Sequence, residues 1–234
     1  MIDLYALTSP NVRKVYIMLE EVDLPYKEIF VDVWKGDNYR PEFRRLNPNG
    51  KIPVIVDHEG PGGRPYTVFE SGAILMYLAE KTGRLLPKDM AARYEVIQWL
   101  MIQVSGVGPM FGQFTHFKTF APPGNDYAFS RYQTEVLRLY DLLEARLARG
   151  DYLGGPEYTI ADIAAFPWTA NYKLQGVQLQ DRPNFARWYA EIAARPAVQR
   201  ALRKVEAIKS SRETATADDK DRFFGRGRYA RVPA

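Results

Sequence analysis

The chain has 234 residues, and its 46% hydrophobic and 26% charged residues are the balance of a folded globular protein. It has no cysteine and two histidines, His58 and His116, which lie far apart in sequence; disulfides, a cysteine nucleophile and thiolate metal sites are therefore excluded, and we expect no metal centre. The net charge is +4, and residues 206–234 carry about half of it, so the rest of the chain is nearly neutral and we expect no nucleic-acid-binding face.

The first residues lack the basic segment and the apolar stretch of a secretory signal. No apolar run in the chain approaches the roughly 18 residues that a membrane helix needs. We therefore expect a cytoplasmic protein with no membrane partner.

Strand-like and helix-like segments alternate over the first 84 residues. Apolar residues at Val12, Val15, Met18 and Leu19 recur near the helical period, which predicts a helix over residues 11–22. Strands are predicted over residues 2–5, 26–31, 54–56 and 67–69, and further helices over residues 41–45 and 71–81. This order of elements predicts a thioredoxin-like α/β domain over residues 1–84.

Strand signals are missing from the next part of the chain, residues 90–205. Helices are predicted over residues 91–111 (with a bend near 106–109), 126–149, 159–172, 184–194 and 196–205. These segments predict an all-helical domain, so the fold class is α/β plus all-α. Thr159 and Asp162 have the spacing of a capping box, a role in folding and not in catalysis.

The last segment, residues 206–234, is polar and then rich in arginine and glycine. Its Phe223, Phe224, Tyr229 and Val232 are unusual for a disordered tail, so we expect it to pack against the folded body. Its arginines would then face a site for an anionic ligand. A nucleic-acid interface over residues 222–231 is disfavoured, because this segment is short and has no folded platform.

Five segments, taken in order, carry a family signature. They are Thr8-Ser9-Pro10-Asn11, Asn49-Gly50-Lys51-Ile52-Pro53-Val54, Phe69-Glu70-Ser71-Gly72-Ala73-Ile74-Leu75, Ser130-Arg131-Tyr132-Gln133 and Thr159-Ile160-Ala161-Asp162. Together they resemble the cytosolic glutathione transferases, and within them the bacterial Nu class and the Ure2-like disulfide-bond oxidoreductases. The resemblance extends from residue 1 to about residue 205. It implies a thioredoxin-like domain followed by a helical bundle, glutathione (reduced or oxidised) as co-substrate, and a homodimer.

The pair Glu70-Ser71 matches the γ-glutamyl end of glutathione, which carries a carboxylate and an ammonium on one carbon. Ser71 at a helix start offers a hydroxyl and free backbone N–H groups to the carboxylate, and Glu70 can hold the ammonium. The alternative is a plain N-cap beside a surface charge. The resemblance implies a cis peptide bond between Ile52 and Pro53, with the Ile52 backbone facing the cysteinyl part of glutathione; a trans proline that ends a turn is the alternative.

Ser9 and Asn11 stand where the first strand meets the first helix. A thiol placed there meets a hydroxyl donor, an amide donor and the positive end of the helix dipole, and all three favour the thiolate. Either residue could instead serve only as an N-cap. In the Nu class the position aligned with Ser9 is usually threonine, and Thr8 precedes it here. Thr8 and the strand residue Tyr5 therefore remain alternative partners of the thiol.

Three further residues are candidates for the carboxylates of glutathione. Asn38 resembles a family position at the glycyl end, and Lys51 could pair with the glycyl carboxylate. The resemblance implies that Arg131 reaches a carboxylate, either in its own subunit or across a dimer. Each has a solvated surface role as its alternative. The helices over residues 74–78 and 91–103 are candidates for the dimer contact.

Two functions fit these residues. The first is an enzyme that stabilises a glutathione thiolate and uses it on a small-molecule disulfide, peroxide or electrophile, with disulfide-bond reduction favoured over conjugation. The second is a non-catalytic glutathione-binding regulatory or scaffold protein on the same fold. The intact Ser9/Asn11 and Glu70/Ser71 sets favour the enzyme.

Overall fold

A computed structural model describes residues 1–230. The chain divides into two compact units, one formed by residues 1–74 with the chain from residue 200 on, and the other by residues 75–199. The domain bounds predicted from the sequence are 1–84, 90–205 and 206–234. They were placed at the ends of predicted helices, which do not coincide with the limits of the two compact units, and they stay a prediction.

The first unit is built on a four-stranded sheet with the strand order β2-β1-β3-β4. Its strands are β1 (Ile2–Ala6), β2 (Tyr26–Phe30), β3 (Val54–Asp57) and β4 (Tyr66–Phe69). β1 runs parallel to β2, and β3 runs antiparallel to both β1 and β4. Val54 pairs with Tyr5 on one side and with Phe69 on the other, so the start of β3 lies between the ends of β1 and β4.

Three helices connect these strands or follow them: α1 (Pro10–Glu21), α2 (Pro41–Leu46) and α3 (Ser71–Thr82). α1 begins at Pro10, one residue before the predicted start, because Ser9 caps it and Pro10 supplies a first-turn residue that needs no N–H partner. Its apolar face, including Val12, Val15 and Met18, is fully buried. The predicted thioredoxin-like order of elements is confirmed.

The second unit is helical. It contains the part of α3 from residue 75 on, followed by α4 (Met90–Ile102), α5 (Gly108–Thr119), α6 (Asp126–Leu147), α7 (Ile160–Thr169) and α8 (Pro183–Ala194). The single bent helix predicted over residues 91–111 is in fact two helices joined by one π-helical turn, Gln103–Val107, and the second continues to Thr119. At this turn a Cβ on Gly108 would lie 3.1 Å from Gln103 Nε2, so glycine permits the close approach.

The capping box at the start of α7 is a buried polar centre of the second unit. The Asp162 carboxylate is fully buried and accepts hydrogen bonds from the Thr159 and Leu153 backbone N–H groups, each at 2.9 Å, and from Trp188 Nε1 at 2.8 Å. These donors offset the cost of burying a carboxylate. The predicted structural role of Thr159 and Asp162 agrees with these contacts.

The chain returns to the first unit through α9 (Pro196–Ala207) and ends, within the described residues, with α10 (Ala217–Phe224). We refer to residues 208–230 as the C-terminal segment. The sequence analysis did not predict α10, although Thr216 and Asp219 form a capping box and Gly225, at φ +65°, stops the helix. These residues were the available signal.

The C-terminal segment packs on the loop that follows β2. Phe223 stacks on Trp34 with ring centroids 4.1 Å apart, and the Ser211 hydroxyl donates to Asp32 at 2.6 Å. This confirms the prediction that the segment packs against the folded body; Arg231 and Val232, which that prediction also included, lie outside the described residues.

Candidate functional site

Ser9 caps α1 through its side chain. Its Oγ accepts a hydrogen bond from the Val12 backbone N–H at 3.1 Å. This contact is the N-cap alternative raised by the sequence. The bond uses the hydroxyl as an acceptor and leaves the hydroxyl proton available to donate, so the same side chain can cap the helix and stabilise a thiolate at its N-terminus.

The neighbouring candidates differ in their surroundings. Asn11 lies in the first turn of α1 and is half-buried, as is Thr8. Tyr5 lies within β1, its ring packs edge-on against Phe43, and burial raises the pKa of its phenol. A raised pKa disfavours a phenolate, so the geometry does not favour Tyr5 as a proton acceptor.

The loop that precedes β3 is held by side-chain amides. Asn47 donates to the Lys51 carbonyl at 2.7 Å, and Asn38 donates to the Gly50 carbonyl at 2.9 Å. The Ile52–Pro53 peptide bond is cis, as the resemblance implies. The loop thus brings the backbone of Ile52 to the end of the sheet where β1 and β4 also end.

Glu70 and Ser71 follow β4 directly at the same end of the sheet. Glu70 has φ +67°, a left-handed conformation that is uncommon for a residue with a side chain and is concentrated at functional sites. Asn49 Nδ2 donates to Glu70 Oε1 at 3.2 Å and orients the carboxylate. Ser71 is the first residue of α3 and is buried, so a carboxylate ligand here would meet the helix N-terminus.

Lys14 is a further candidate, which the sequence analysis did not name. Its side chain is 1% exposed, and its Nζ donates to Ser71 Oγ at 3.2 Å. Burial lowers the pKa of Lys14 to about 7, while the Glu70 carboxylate acts in the opposite direction. The available signal was a lysine on the otherwise apolar face of α1, four residues before the buried Met18.

Asn38 and Lys51 occupy different positions relative to solvent. Asn38 is buried, its amide nitrogen is used on Gly50, and its Oδ1 has no hydrogen-bond partner among the described residues. Its contact with a ligand stays a prediction, and the contact observed is one that positions the loop. Lys51 is exposed, and no carboxylate among residues 1–230 lies within ion-pair distance of it.

Arg131 lies on α6, in the second unit. Its side chain is 60% exposed, and Nη1 is 3.4 Å from Glu135 Oε1. Arg138, which is 57% exposed, pairs with the same carboxylate at 2.9 Å. The predicted contact of Arg131 with a ligand carboxylate is not seen in these contacts and stays a prediction.

One end of the sheet therefore collects two sets of groups. Ser9, Asn11 and the α1 N-terminus stand beside Ile52, while Glu70, Ser71 and Lys14 stand beside β4. The first set can stabilise an anionic sulfur, and the second can bind an amino acid through its carboxylate and ammonium groups. Among residues 1–230 no cluster of three metal-ligating side chains occurs, and no helix is long and apolar enough to cross a bilayer.

Family models match both parts of the chain. The model described as the glutathione S-transferase N-terminal domain matches residues 8–81, and the model of the glutathione S-transferase C-terminal domain matches residues 126–191. Among curated proteins, the chain is 48% identical over 207 residues to the disulfide-bond oxidoreductase YfcG of Escherichia coli (strain K12). That match covers 88% of this chain and 96% of the relative.

Solved structures are similar over the same length. A glutathione transferase from Burkholderia graminis, with two glutathione molecules bound per subunit, is 48% identical and superposes with a TM-score of 0.82, covering 88% of this chain and 89% of that one. A glutathione transferase from Pseudomonas putida, with one glutathione disulfide bound per subunit, is 44% identical with a TM-score of 0.81, covering 86% and 90%.

Proposed function

Because this chain belongs to the glutathione S-transferase family, we propose that it is a glutathione-dependent disulfide-bond reductase. The observation that carries the proposal is the shared end of the sheet, where a thiolate-stabilising helix N-terminus lies beside an amino-acid-binding set. The relative named a disulfide-bond oxidoreductase, at 48% identity, and the related structures that hold two glutathiones or one glutathione disulfide support the same reaction.

Different residues bind different parts of glutathione. Glu70 accepts from the γ-glutamyl ammonium, while Ser71, Lys14 and the α3 N-terminus take up the γ-glutamyl carboxylate. The Ile52 backbone pairs with the cysteinyl part, which points the thiol at Ser9 and Asn11. Both side chains donate hydrogen bonds to sulfur and neither accepts its proton, so the thiolate forms because its pKa falls.

The reaction requires two glutathiones because the chain has no cysteine of its own. The thiolate of the first attacks one sulfur of the substrate disulfide, forms a mixed disulfide and releases one substrate thiolate, which takes up a proton. The thiolate of a second glutathione then attacks the glutathione sulfur of the mixed disulfide, giving glutathione disulfide and the second substrate thiol. Arg131 is our candidate for a carboxylate of the second glutathione.

We further propose a cytoplasmic homodimer. Reduced glutathione is the consumed reductant, and the cytoplasm is the compartment in which thiols are kept reduced. α4 exposes apolar side chains at helical spacing, namely Met90, Tyr94 and Met101. The segment 74–78, which the sequence analysis also assigned to the contact, stays a candidate only through Met76 and Tyr77, which are half-buried, since Ile74, Leu75 and Leu78 are fully buried within the chain. The exposed face of α4 is therefore the better candidate.

The test compares two reactions of the same protein. With glutathione present, we expect the wild type to reduce a small hydroxyethyl disulfide much faster than it conjugates an aryl halide. Asn11→Ala should slow disulfide reduction by about tenfold, the equivalent of one charge-assisted hydrogen bond at the low end of its range. Asn171→Ala, an exposed asparagine of the second unit, is the control and should keep full activity.

Arg131 has its own matched control. Arg131→Ala should raise the KM for glutathione in disulfide reduction. Arg138→Ala is the control, because Arg138 also pairs with Glu135 and has a similar exposure, and it should leave this KM unchanged. If conjugation dominates in the wild type, and Asn11→Ala leaves disulfide reduction intact, the proposed reaction is wrong.

A further inference from the structure

The C-terminal segment is attached to the loop after β2 by charge as well as by ring stacking. Lys35 Nζ is 2.8 Å from Asp219 Oδ2, and this hydrogen bond holds the pKa of Asp219 well below its usual range. Arg222 Nη1 donates to the Lys35 carbonyl at 3.2 Å. Together with the stacking of Phe223 on Trp34, these contacts hold Arg222 against the loop that follows β2.

The segment also reaches the loop that carries the cis peptide bond. Ile52 belongs to the same apolar cluster as Leu7, Trp34 and the two phenylalanines of α10. Next to this cluster lies a cavity of about 470 Å³ whose lining includes Tyr39, Lys51, Arg222 and Tyr229. The C-terminal segment therefore forms one wall of a cavity that is also lined by Lys51, the residue before Ile52.

The strand order gives a direction to a peptide bound at this end of the sheet. Glu70 and Ser71 follow β4, Ile52 precedes β3, Ser9 follows β1, and the loop with Trp34 follows β2. Because neighbouring strands lie about 4.8 Å apart, a γ-glutamyl group at Ser71 and a cysteinyl group at Ile52 direct the glycyl group toward β2. That is the side on which the cavity and the C-terminal segment lie.

The charges around the cavity favour an anion. Two charged residues line the cavity, Lys51 and Arg222, and both are cations. Arg222 also pairs with Asp218, whereas Lys51 has no carboxylate within ion-pair distance among residues 1–230. Arg222 is held from both sides, since its Nη2 lies 3.1 Å from Asp218 and its Nε lies 3.4 Å from the Tyr229 hydroxyl.

We propose that the C-terminal segment completes the ligand site at its glycyl end, with Arg222 joining Lys51 in binding the glycyl carboxylate of glutathione. The inference rests on the proposed glutathione-binding function. It makes the segment a determinant of specificity: thiols with a free glycyl carboxylate bind, and thiols that lack the glycine, or carry it as an amide, lose this contact.

The experiment measures binding and turnover separately. Calorimetry with S-methylglutathione and with γ-glutamyl-S-methylcysteine, which lacks the glycine, should show that the wild type prefers the first. Arg222→Gln should weaken binding of S-methylglutathione by about tenfold and leave the shorter ligand unchanged, as loss of one charge-assisted contact predicts. In disulfide reduction the same change should raise the KM for glutathione with little change in kcat.

Arg226→Gln is the matched control, since Arg226 belongs to the same segment and pairs with Asp221 at 2.6 Å but does not line the cavity. Tyr229→Phe removes a hydroxyl that holds Arg222 and should give a smaller loss in the same direction. Hydrogen exchange of residues 217–224 reports whether α10 remains folded and docked in each variant.

The outcomes separate this inference from the proposed function. Equal weakening of both ligands by Arg222→Gln, no weakening of either, or the same effect from Arg226→Gln overturns the role of Arg222. Selective weakening in a protein that binds S-methylglutathione but reduces no disulfide supports the role of Arg222 and contradicts the proposed reaction. A wild type that does not bind S-methylglutathione overturns both.

Discussion

Ser9→Gly separates the two functions that a single hydroxyl serves at the start of α1. The Ser9 Oγ accepts from the Val12 N–H at 3.1 Å, and its proton remains for a ligand sulfur. Glycine is a fair N-cap, within a few tenths of a kcal/mol of serine, whereas alanine costs about 1 kcal/mol. Ser9→Gly therefore removes the donor and keeps most of the cap.

The expected effect follows from the value of a hydrogen bond to a charged acceptor. Such a bond is worth about 1.5–3 kcal/mol, and one pKa unit corresponds to about 1.4 kcal/mol. Ser9 is half-buried, so solvent replaces part of the lost bond and we take the low end of that range. Ser9→Gly should raise the pKa of the bound glutathione thiol by about 1 unit.

The assay is a pH titration of the ultraviolet absorbance of the thiolate, measured with glutathione bound. The chain contains no cysteine, so every thiolate in the sample belongs to the ligand. Ser9→Ala should give the same rise in pKa but also a lower free energy of unfolding, by about 1 kcal/mol. Thr8→Ala is the neighbouring control and should leave the thiol pKa unchanged.

An unchanged thiol pKa in Ser9→Gly would refute the argument, because the donor would then contribute nothing to the thiolate. A rise with Thr8→Ala and none with Ser9→Gly would assign the role to Thr8. A rise with Ser9→Ala but none with Ser9→Gly would show that the capped helix, and not the hydroxyl, stabilises the sulfur.

Two further predictions concern Lys14 and α4. Burial lowers the pKa of Lys14 to about 7, so from about pH 7 to 10.4 the unfolded chain holds a proton that the folded chain has lost, and stability rises with pH across this window. Lys14→Met should abolish that rise, which amounts to at most about 5 kcal/mol over this window, as measured by denaturant unfolding. The same variant should weaken glutathione binding by about tenfold in calorimetry, and normal binding would contradict a role for Lys14. Tyr94→Glu, on the exposed face of α4, should turn a dimer into a monomer in light scattering, whereas a monomeric wild type would exclude the dimer.

Much of the fold is determined by patterns a few residues long. The helical spacing of Val12, Val15 and Met18 predicts α1, and Thr159 with Asp162 predicts the start of α7. Such patterns succeed because a helix brings residues three and four apart onto one face and because a cap acts within a single turn. The family signature likewise lies in short segments, which is why Glu70 and Ser71 could be named as candidates without a structure. The cis bond before Pro53, which the resemblance implied, is confirmed.

The tertiary structure decides what depends on residues far apart in the chain. Lys14 becomes a candidate only because α3 begins against α1, which places Ser71 Oγ 3.2 Å from an amine 57 residues earlier. Likewise, the stacking of Phe223 on Trp34 attaches the C-terminal segment beside Lys51. The periodicity of apolar residues along the sequence cannot predict such pairs. They depend on the strand order and on the burial of both partners in the folded chain.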